Sequence, residues 1–571
     1  MWVLPFLHFK HAYPITTFYQ EWWSAVLGVL AMVLLLARDY WQTPQVPRIA
    51  QLPMALMAVV LLQWLLGRVA YFDQALLCVL YLLFAALLML LGARLRECFG
   101  LPKLSQALAI ALLAGAELNT FIGVLQHFSW HTIFDHLVIA KLTAAVYGNL
   151  AQPNHFANYL ALGFISLGLL FQQQKLKPGY VVLLALPMLF VMAMSGSRSS
   201  WLYLLLIAAM AWWWTRRDAR LKPLLRYSLL LIVGFGLMHL AIQVQAVTVE
   251  TGNINTVERL IDDKESGDIR LYLWYEAALM FAQSPLFGAG FGQFAWQHFQ
   301  LVPQLHPGNI VGLYNNAHNI VMQLAAETGI VGLLILFGLL GVWVYSACHT
   351  PLDVEHWWCY GLLGVLGIHS LLEYPLWYAY FLAIAAILLG MFDETRYQLK
   401  LRFVGRISVA TILALGLVVM AQLKIGYRDM ERMLAADAAS DAPTSSSSDA
   451  ATLNYLHHVP MLSPYAELFM SQRMAIDAKY LKEKLALNTR VARFVPVGLV
   501  VYRQALLLAQ DGQIEQAKTI WNQAAWSYPG DLAAQQKNLT ALAAKDPAHF
   551  SALLEFALQK EQGSAGGIFN K

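Results

Sequence analysis

Apolar runs of near membrane length recur from Glu21 to Leu423, divided by short polar turns. Nearly uncharged runs of that length predict membrane-crossing helices. The pattern puts crossings at 22–37, 50–66, 73–92, 104–126, 156–171, 180–194, 199–214, 227–243, 318–346, 357–372, 375–392 and 405–423. Two polar interruptions, 127–155 and 244–317, are far longer than a turn. Residues 1–9 are apolar but too short to span, and His11-Ala12-Tyr13-Pro14 breaks the run. That stretch either lies in the interface or is the end of a helix that a longer form would complete. Beyond 423 the pattern changes. Residues 437–450 (DAASDAPTSSSSDA) read as a low-complexity linker, and 451–560 turn polar and amphipathic-helical. Gly512, Ala517, Trp521, Ala524 and Pro529 have the spacing of a tetratricopeptide helix pair, but one clear repeat is too few for a solenoid.

The expected fold is therefore all-α and polytopic, with about twelve transmembrane helices. A transmembrane core fills 1–423 and carries a large outer loop at about 244–317. An exit helix and linker follow at 424–450, then an outer helical domain at 451–571.

Composition agrees. Of 571 residues, 59% are hydrophobic and 13% charged, which excludes an ordinary soluble domain. No basic segment followed by an apolar core and a small-residue cleavage site marks a signal peptide. The net charge of +4 is small, but its distribution is informative. Arg94, Arg96 and Lys103, then Lys175 and Lys177, then Arg216, Arg217, Arg220, Lys222 and Arg226, then Arg396, Lys400, Arg402 and Arg406 occupy alternate loops. The positive-inside rule makes those loops cytoplasmic. Loops 127–155, 195–200, 244–317 and 373–376, with everything after 424, then face outward. Basic residues spread over the loops of one membrane face exclude a nucleic-acid partner. The four cysteines avoid both large outer segments, so packing and not disulfides must hold those parts.

The candidate chemistry lies at outer helix mouths. Asn315-Asn316-Ala317-His318-Asn319 joins the longest polar segment to the apolar run from Ile320, with Gln323 and Glu327 in its first turns. Asn316 as helix cap puts His318 in the first turn, where the positive end of the helix dipole favours a neutral imidazole able to accept a proton. An interfacial histidine bonded to a neighbour's backbone is the plainer alternative. In Gln152-Pro153-Asn154-His155, followed by Asn158, Pro153 keeps Gln152 extended and Asn154 caps the next helix. The cluster of polar side chains suits a sugar or a phosphate. Arg198, in a Ser/Gly-rich turn, and Arg270, at the start of an amphipathic helix capped by Asp268, suit an anion at the membrane surface. The apolar face of that helix (Leu271, Leu273, Trp274, Ala278, Phe281) suits the interface. Gly288, Gly290 and Gly292 read as a tight turn, since no strand precedes them as a nucleotide-binding unit requires. Glu373 and Tyr374 sit in an aromatic cluster that interfacial anchoring explains only in part. His127 and His131 are spaced i, i+4 but lack further ligands for a metal.

QPNHFANYL, GSRSSWL, DIRLYLW with SPLFGAGFGQF, NNAHNIVMQLAAETGIVG and HSLLEYPLWYAYFL follow one another in that order. Together they resemble the bacterial O-oligosaccharyltransferases of the protein glycosylation ligase type, within the superfamily of O-antigen ligases and polymerases. The resemblance covers most of 11–395. The short N-terminus departs from the usual pattern, in which a full helix precedes the H-x-x-P…E segment. The resemblance implies transfer of an oligosaccharide from undecaprenyl diphosphate to a Ser or Thr hydroxyl, outside the bacterial inner membrane. It implies His318 as base, Arg198 and Arg270 on the diphosphate, and roles for Gln152 and Tyr374. Asn154, His155, Asn316 and Glu373 would support them. Neither a metal nor a cofactor is expected. The partners expected are the lipid-linked glycan, the bilayer and an acceptor protein such as a pilin. An O-antigen ligase or polymerase, with a glycan or lipid A core acceptor, is the alternative. A transporter is disfavoured, because the polar clusters sit at helix ends on one face and no internal repeat is visible.

Overall fold

The computed structural model describes residues 1–248, 264–305, 310–439 and 447–564. Among them the chain is helical apart from one short antiparallel pair, β1 (Gln45–Pro47) with β2 (Arg396–Gln398). The core helices are α1 (Leu4–Leu7), α2 (Phe18–Met32), α3 (Gln51–Leu65), α4 (Phe72–Phe99), α5 (Leu101–Phe128), α6 (Pro153–Gln172), α7 (Pro178–Met194), α8 (Ser199–Arg217) and α9 (Lys222–Thr248). After the outer helices α10 (Lys264–Gln283) and α11 (Phe294–Leu305) come α12 (Ile320–Ala347), α13 (Val354–Ser370), α14 (Ala379–Met391) and α15 (Arg402–Ala439). Each predicted apolar run thus folds as helix. Among the described residues, 8 helices are long and apolar enough to cross a membrane, while α7 and α14 are shorter apolar helices.

Helix α6 forms the centre of the bundle: 89% of its most apolar window is buried. Small residues let its neighbours approach, the usual device where helices pack in lipid. A Cβ on Gly163 would lie 2.5 Å from that of Ala116. The same device joins α4 to α14, where a Cβ on Gly390 would stand 2.0 Å from the carbonyl oxygen of Met89. The N-terminal segment packs against the core through Trp2 and Phe6. Phe6 is fully buried and stacks on Tyr159 at 4.0 Å, and the Tyr159 hydroxyl donates to the carbonyl of Trp2 at 2.7 Å. Glu21 accepts from the Tyr81 hydroxyl at 2.7 Å and from the N–H of Ala379 at 2.8 Å, which fixes the start of α14.

Two outer expectations need correction. The run from Ile320 is not one straight membrane helix, because α12 breaks at Gly329 (φ 64°, ψ −160°). Its first part packs with α10 and α11 through Ala326, Leu273, Met280, Phe294 and Leu301. Its second part leaves Leu334 and Phe337 exposed. The glycine turn explains the break. The N–H groups of Ala289 and Gly290 donate to the carbonyls of Ala326 and Glu327 at 2.9 and 3.1 Å, and Ile330 N–H donates to Pro285 at 2.8 Å. A Cβ on Gly288 (φ 65°) would lie 2.2 Å from the Glu327 backbone, so only glycine fits there. The buried face of helix α10 is not the apolar face expected from the sequence. Its buried face is Leu273, Glu276, Ala277 and Met280, whereas Leu271 and Ala278 point outward. It is already helical at Lys264, before the predicted cap Asp268, whose side chain lies outside the described residues.

Helix α15 continues beyond the core to Ala439 and carries Tyr427, Met430 and Met433 into a cluster with Phe18 and the tail. The tail comprises α16 (Ser447–His457), α17 (Ser463–Arg473), α18 (Leu481–Phe494), α19 (Gly498–Gln510), α20 (Ile514–Ser527), α21 (Leu532–Lys545) and α22 (Pro547–Ser564). The Ser-rich segment read as linker is helical at both described ends, and 440–446 lie outside the described residues. Ala517, Trp521 and Ala524 are buried together with Phe299 of α11, so the tail shares a core with the outer helices. It also docks on the membrane core: Tyr71 donates to Glu467 at 2.6 Å, and Arg493 donates to the carbonyls of Gly67 and Arg68 at 3.0 Å.

The close approach of α4 and α14 predicts that Gly390→Ala destabilises the protein by about 1–3 kcal/mol through overpacking. Gly416→Ala, whose Cβ would meet only Val29 at 4.0 Å, leaves the melting midpoint in detergent unchanged.

Candidate active site

Three helix starts meet the connection between α13 and α14 at one end of the bundle. At the first, Gln152 and not Asn154 is the cap of α6. Gln152 is extended (φ −144°, ψ 119°), Pro153 occupies the first helical position, and the Gln152 side chain accepts from His155 N–H. Pro153 has no N–H to satisfy and a preset φ, which favours this register. The Asn154 side chain is thereby released to turn sideways. At the second, α8 begins directly after Ser197-Arg198. At the third, Asn319 and not Asn316 caps α12, accepting from the N–H groups of Val321 and Met322 at 3.0 and 3.2 Å. His318 therefore stands just outside the helix, in the left-handed region (φ 48°), where non-glycine residues are uncommon. Asn316 holds it there by accepting from His318 N–H at 3.0 Å. Its environment is thus set by a carboxylate more than by the helix dipole.

That carboxylate is Glu373, whose side chain is 6% exposed. His318 Nδ1 lies 2.9 Å from Glu373 Oε2. Asn154 and Arg270 donate to Oε1 at 2.9 and 3.2 Å. Ser197 donates to Asn154 at 2.8 Å and completes the chain. Burial pushes the Glu373 carboxyl up, but the hydrogen bond and charge of His318, with His155 and His369 nearby, hold it down at about 2. An ionised carboxylate only accepts, so the network assigns the proton of a neutral His318 to Nδ1. The lone pair then lies on Nε2, and the His318 side chain is 29% exposed. A carboxylate that orients an imidazole and steadies its protonated form is the arrangement of a general base.

The remaining predicted residues lie around this network. Tyr374 sets its ring edge-on to that of His318, 5.4 Å between centroids, and stacks on Tyr378 at 5.7 Å. His155 is buried behind Tyr374, with ring centroids 6.4 Å apart, and meets Glu373 through no direct hydrogen bond. Arg198 is partly buried beside Ser197. Gln152 serves as a cap, and Asn158 is buried and donates to the carbonyl of Val365 of α13. Sequence reasoning missed Ser197 as a partner of Asn154, and Asn319 as the cap. Asn319 was legible as a capping residue type next to an apolar run. Nothing in the sequence linked Ser197 to Asn154. His131 pairs with its neighbour Asp135 at 2.9 Å, and His127 packs on Phe128 and Phe190. Among the described residues, no group of three or more His, Cys, Asp or Glu is placed to hold a metal.

Family models cover the elements that build this site. A protein glycosylation ligase model matches 146–171, with Gln152, Asn154 and His155. An O-antigen ligase model matches 182–337, with Arg198, Arg270 and His318. A model described as virulence factor membrane-bound polymerase, C-terminal, matches 357–542, with Glu373 and Tyr374. These matches, with the apolar helices, support a membrane-bound glycosyltransferase-type enzyme related to the O-antigen ligases. Within that class, the matches support a protein O-oligosaccharyltransferase of the glycosylation-ligase type. It is similar to the general O-oligosaccharyltransferase of Acinetobacter baylyi, with 29% identity over 432 residues and 73% of each chain covered. It is also similar to the ComP-specific O-oligosaccharyltransferase of the same organism, with 23% identity over 386 residues and 66% of each chain covered.

The depressed Glu373 carboxyl has a linkage consequence. A group held below its unfolded value stabilises the fold above that value, and the contribution is lost as pH falls toward the folded value. The stability advantage of wild type over Glu373→Gln is expected to be full at pH 6 and to shrink as pH drops from about 4.5 toward 2. Melting midpoints of the two proteins across that range check it.

Proposed function

We propose that this enzyme transfers a preassembled oligosaccharide from undecaprenyl diphosphate to a Ser or Thr hydroxyl of an exported protein such as a pilin. The observation that carries the reading is the Glu373–His318 pair, set open beside Arg270 at a helix-mouth cluster. In the reaction, Nε2 of His318 removes the acceptor hydroxyl proton as the oxygen attacks the anomeric carbon. The bond from that carbon to the diphosphate oxygen breaks, and undecaprenyl diphosphate leaves with the electron pair. Glu373 stabilises the imidazolium that forms. Arg270 and Arg198 take the charge that develops on the diphosphate, the step at which preorganised cations contribute most. Two guanidinium groups make the transfer metal-independent. Tyr374, edge-on to His318, orients the acceptor, and Gln152 fixes the mouth of α6 near the glycan.

The topology fits that chemistry. The reading takes about twelve crossings, with the basic loops in the cytoplasm and the site, the outer loop and the tetratricopeptide-like tail in the periplasm, and the alternation of basic loops supports it. An apolar cavity of about 410 Å³ between α2, α4 and α15, lined by Val29, Leu83 and Val419 among others, reaches Ala379 near the site. It offers room for hydrocarbon of the donor lipid.

The test is a transfer assay in membranes with lipid-linked glycan and a pilin acceptor. His318→Ala and Arg270→Ala each lower transfer by about 10²-fold or more, the scale of a lost base or of a lost charge-stabilising donor. Chelator leaves wild type unaffected. Full activity in His318→Ala removes the proposed base, and loss to chelator removes the metal-free mechanism. Glycan found on lipid A core but never on pilin moves the assignment to O-antigen ligation.

A further inference from the structure

We propose that the stretch from Ile310 to Ala317 is a docking edge for the acceptor. An extended polypeptide segment lays its backbone along this edge, so that one hydroxyl reaches Nε2 of His318. This inference rests on the protein acceptor proposed above and specifies how that acceptor is held.

From Ile310 to the cap Asn319 the chain forms no helix. Exposure alternates along it: Val311, Leu313 and Asn315 are exposed, while Gly312, Tyr314 and Asn316 turn toward the protein. Beyond the bend at Gly312 (φ 99°), such alternation marks an extended chain with two faces. The inner face is fixed at three points. Gly312 N–H donates to the carbonyl of Ser527, the last residue of α20, at 2.7 Å. The Tyr314 ring lies against His298, 5.4 Å between centroids. The carbonyl of Ala317 accepts from Trp274 Nε1 at 3.0 Å.

The outer face is open. Among the described residues, no hydrogen bond engages the backbone N–H of Leu313 or Asn315, which leave an extended chain on one edge, opposite to that of Gly312. Unpaired main-chain groups on an extended chain are a template for another strand, which gains affinity from backbone bonds and specificity from alternate side chains. Val311 and Leu313, 47% and 37% exposed, give those alternate side chains an apolar surface. Position then decides the occupant. The edge leads without interruption into His318, and at a strand rise of ~3.3 Å per residue, Leu313 stands roughly 17 Å along the chain from the base. A segment paired there brings a serine or threonine to the base while its remainder follows the edge toward α20. A sugar acceptor would make no use of a row of backbone amides.

The experiment uses the full-length enzyme and single-serine peptides cut from the pilin acceptor, each methylated at one backbone nitrogen flanking the serine. Methylation at alternate positions is expected to raise KM for the peptide about tenfold, as loss of one hydrogen bond would. Methylation at the positions between leaves KM unchanged, and kcat hardly moves. Leu313→Asp on the enzyme raises KM for the peptide and not for the lipid-linked glycan. Transfer to the unmodified peptide with no alternation in the series, or with equal effects at successive positions, overturns the docking edge and leaves the ligase reading standing. Transfer to glycan acceptors only, with pilin and peptide both inert, overturns the protein-acceptor reading and this inference with it.

Discussion

Removing an ionised carboxylate from water costs several kcal/mol unless it is well paired. Glu373 is nearly buried, and three donors offset that cost: the imidazole of His318, the guanidinium of Arg270 and the amide of Asn154. Hydrogen bonds to a charged group contribute about 1.5–3 kcal/mol each, so three of them balance the desolvation and one would not. The geometry of the site follows from that balance. Each donor comes from a different part of the chain: Asn154 from the mouth of α6, Arg270 from α10, His318 from the approach to α12. Loss of any one would leave the carboxylate under-compensated, so the three elements hold one another in register.

The surrounding fold serves this register. Helix α6 is the most enclosed element of the bundle, and its cap Gln152 leaves Asn154 free to reach Glu373. The break at Gly329 lets the first part of α12 turn away from its second part and join α10, which brings Arg270 and His318 together. Phe299 of α11 sits in the core of the tail, and Ser527 of the tail holds the strand that precedes His318. The tail is therefore tied mechanically to the segment that carries His318.

Much of this was legible in the sequence. Apolar runs announced the helices because lipid demands uninterrupted apolar length. His318, Glu373 and Arg270 stood out because ionisable groups at membrane helix ends are expensive to keep. The errors were of register and of long-range contact. Asn316 and Asn319 are both good caps, and only the folded backbone, with His318 in the left-handed region, decides between them. Gln152 is a poor cap by type, yet Pro153 selects it. The Gly329 break was hidden because its cause is a turn about forty residues earlier. The same holds for Ser197, which meets Asn154 across 43 positions of sequence.

The central claim is that Glu373 and His318 act as one unit. A double-mutant cycle on transfer rate, with His318→Ala, Glu373→Gln and the two combined, tests it most directly. The combined variant is expected to be no slower than His318→Ala alone, because the carboxylate acts only through the imidazole. Losses that multiply across the two substitutions would show that the residues act independently, and would contradict the account.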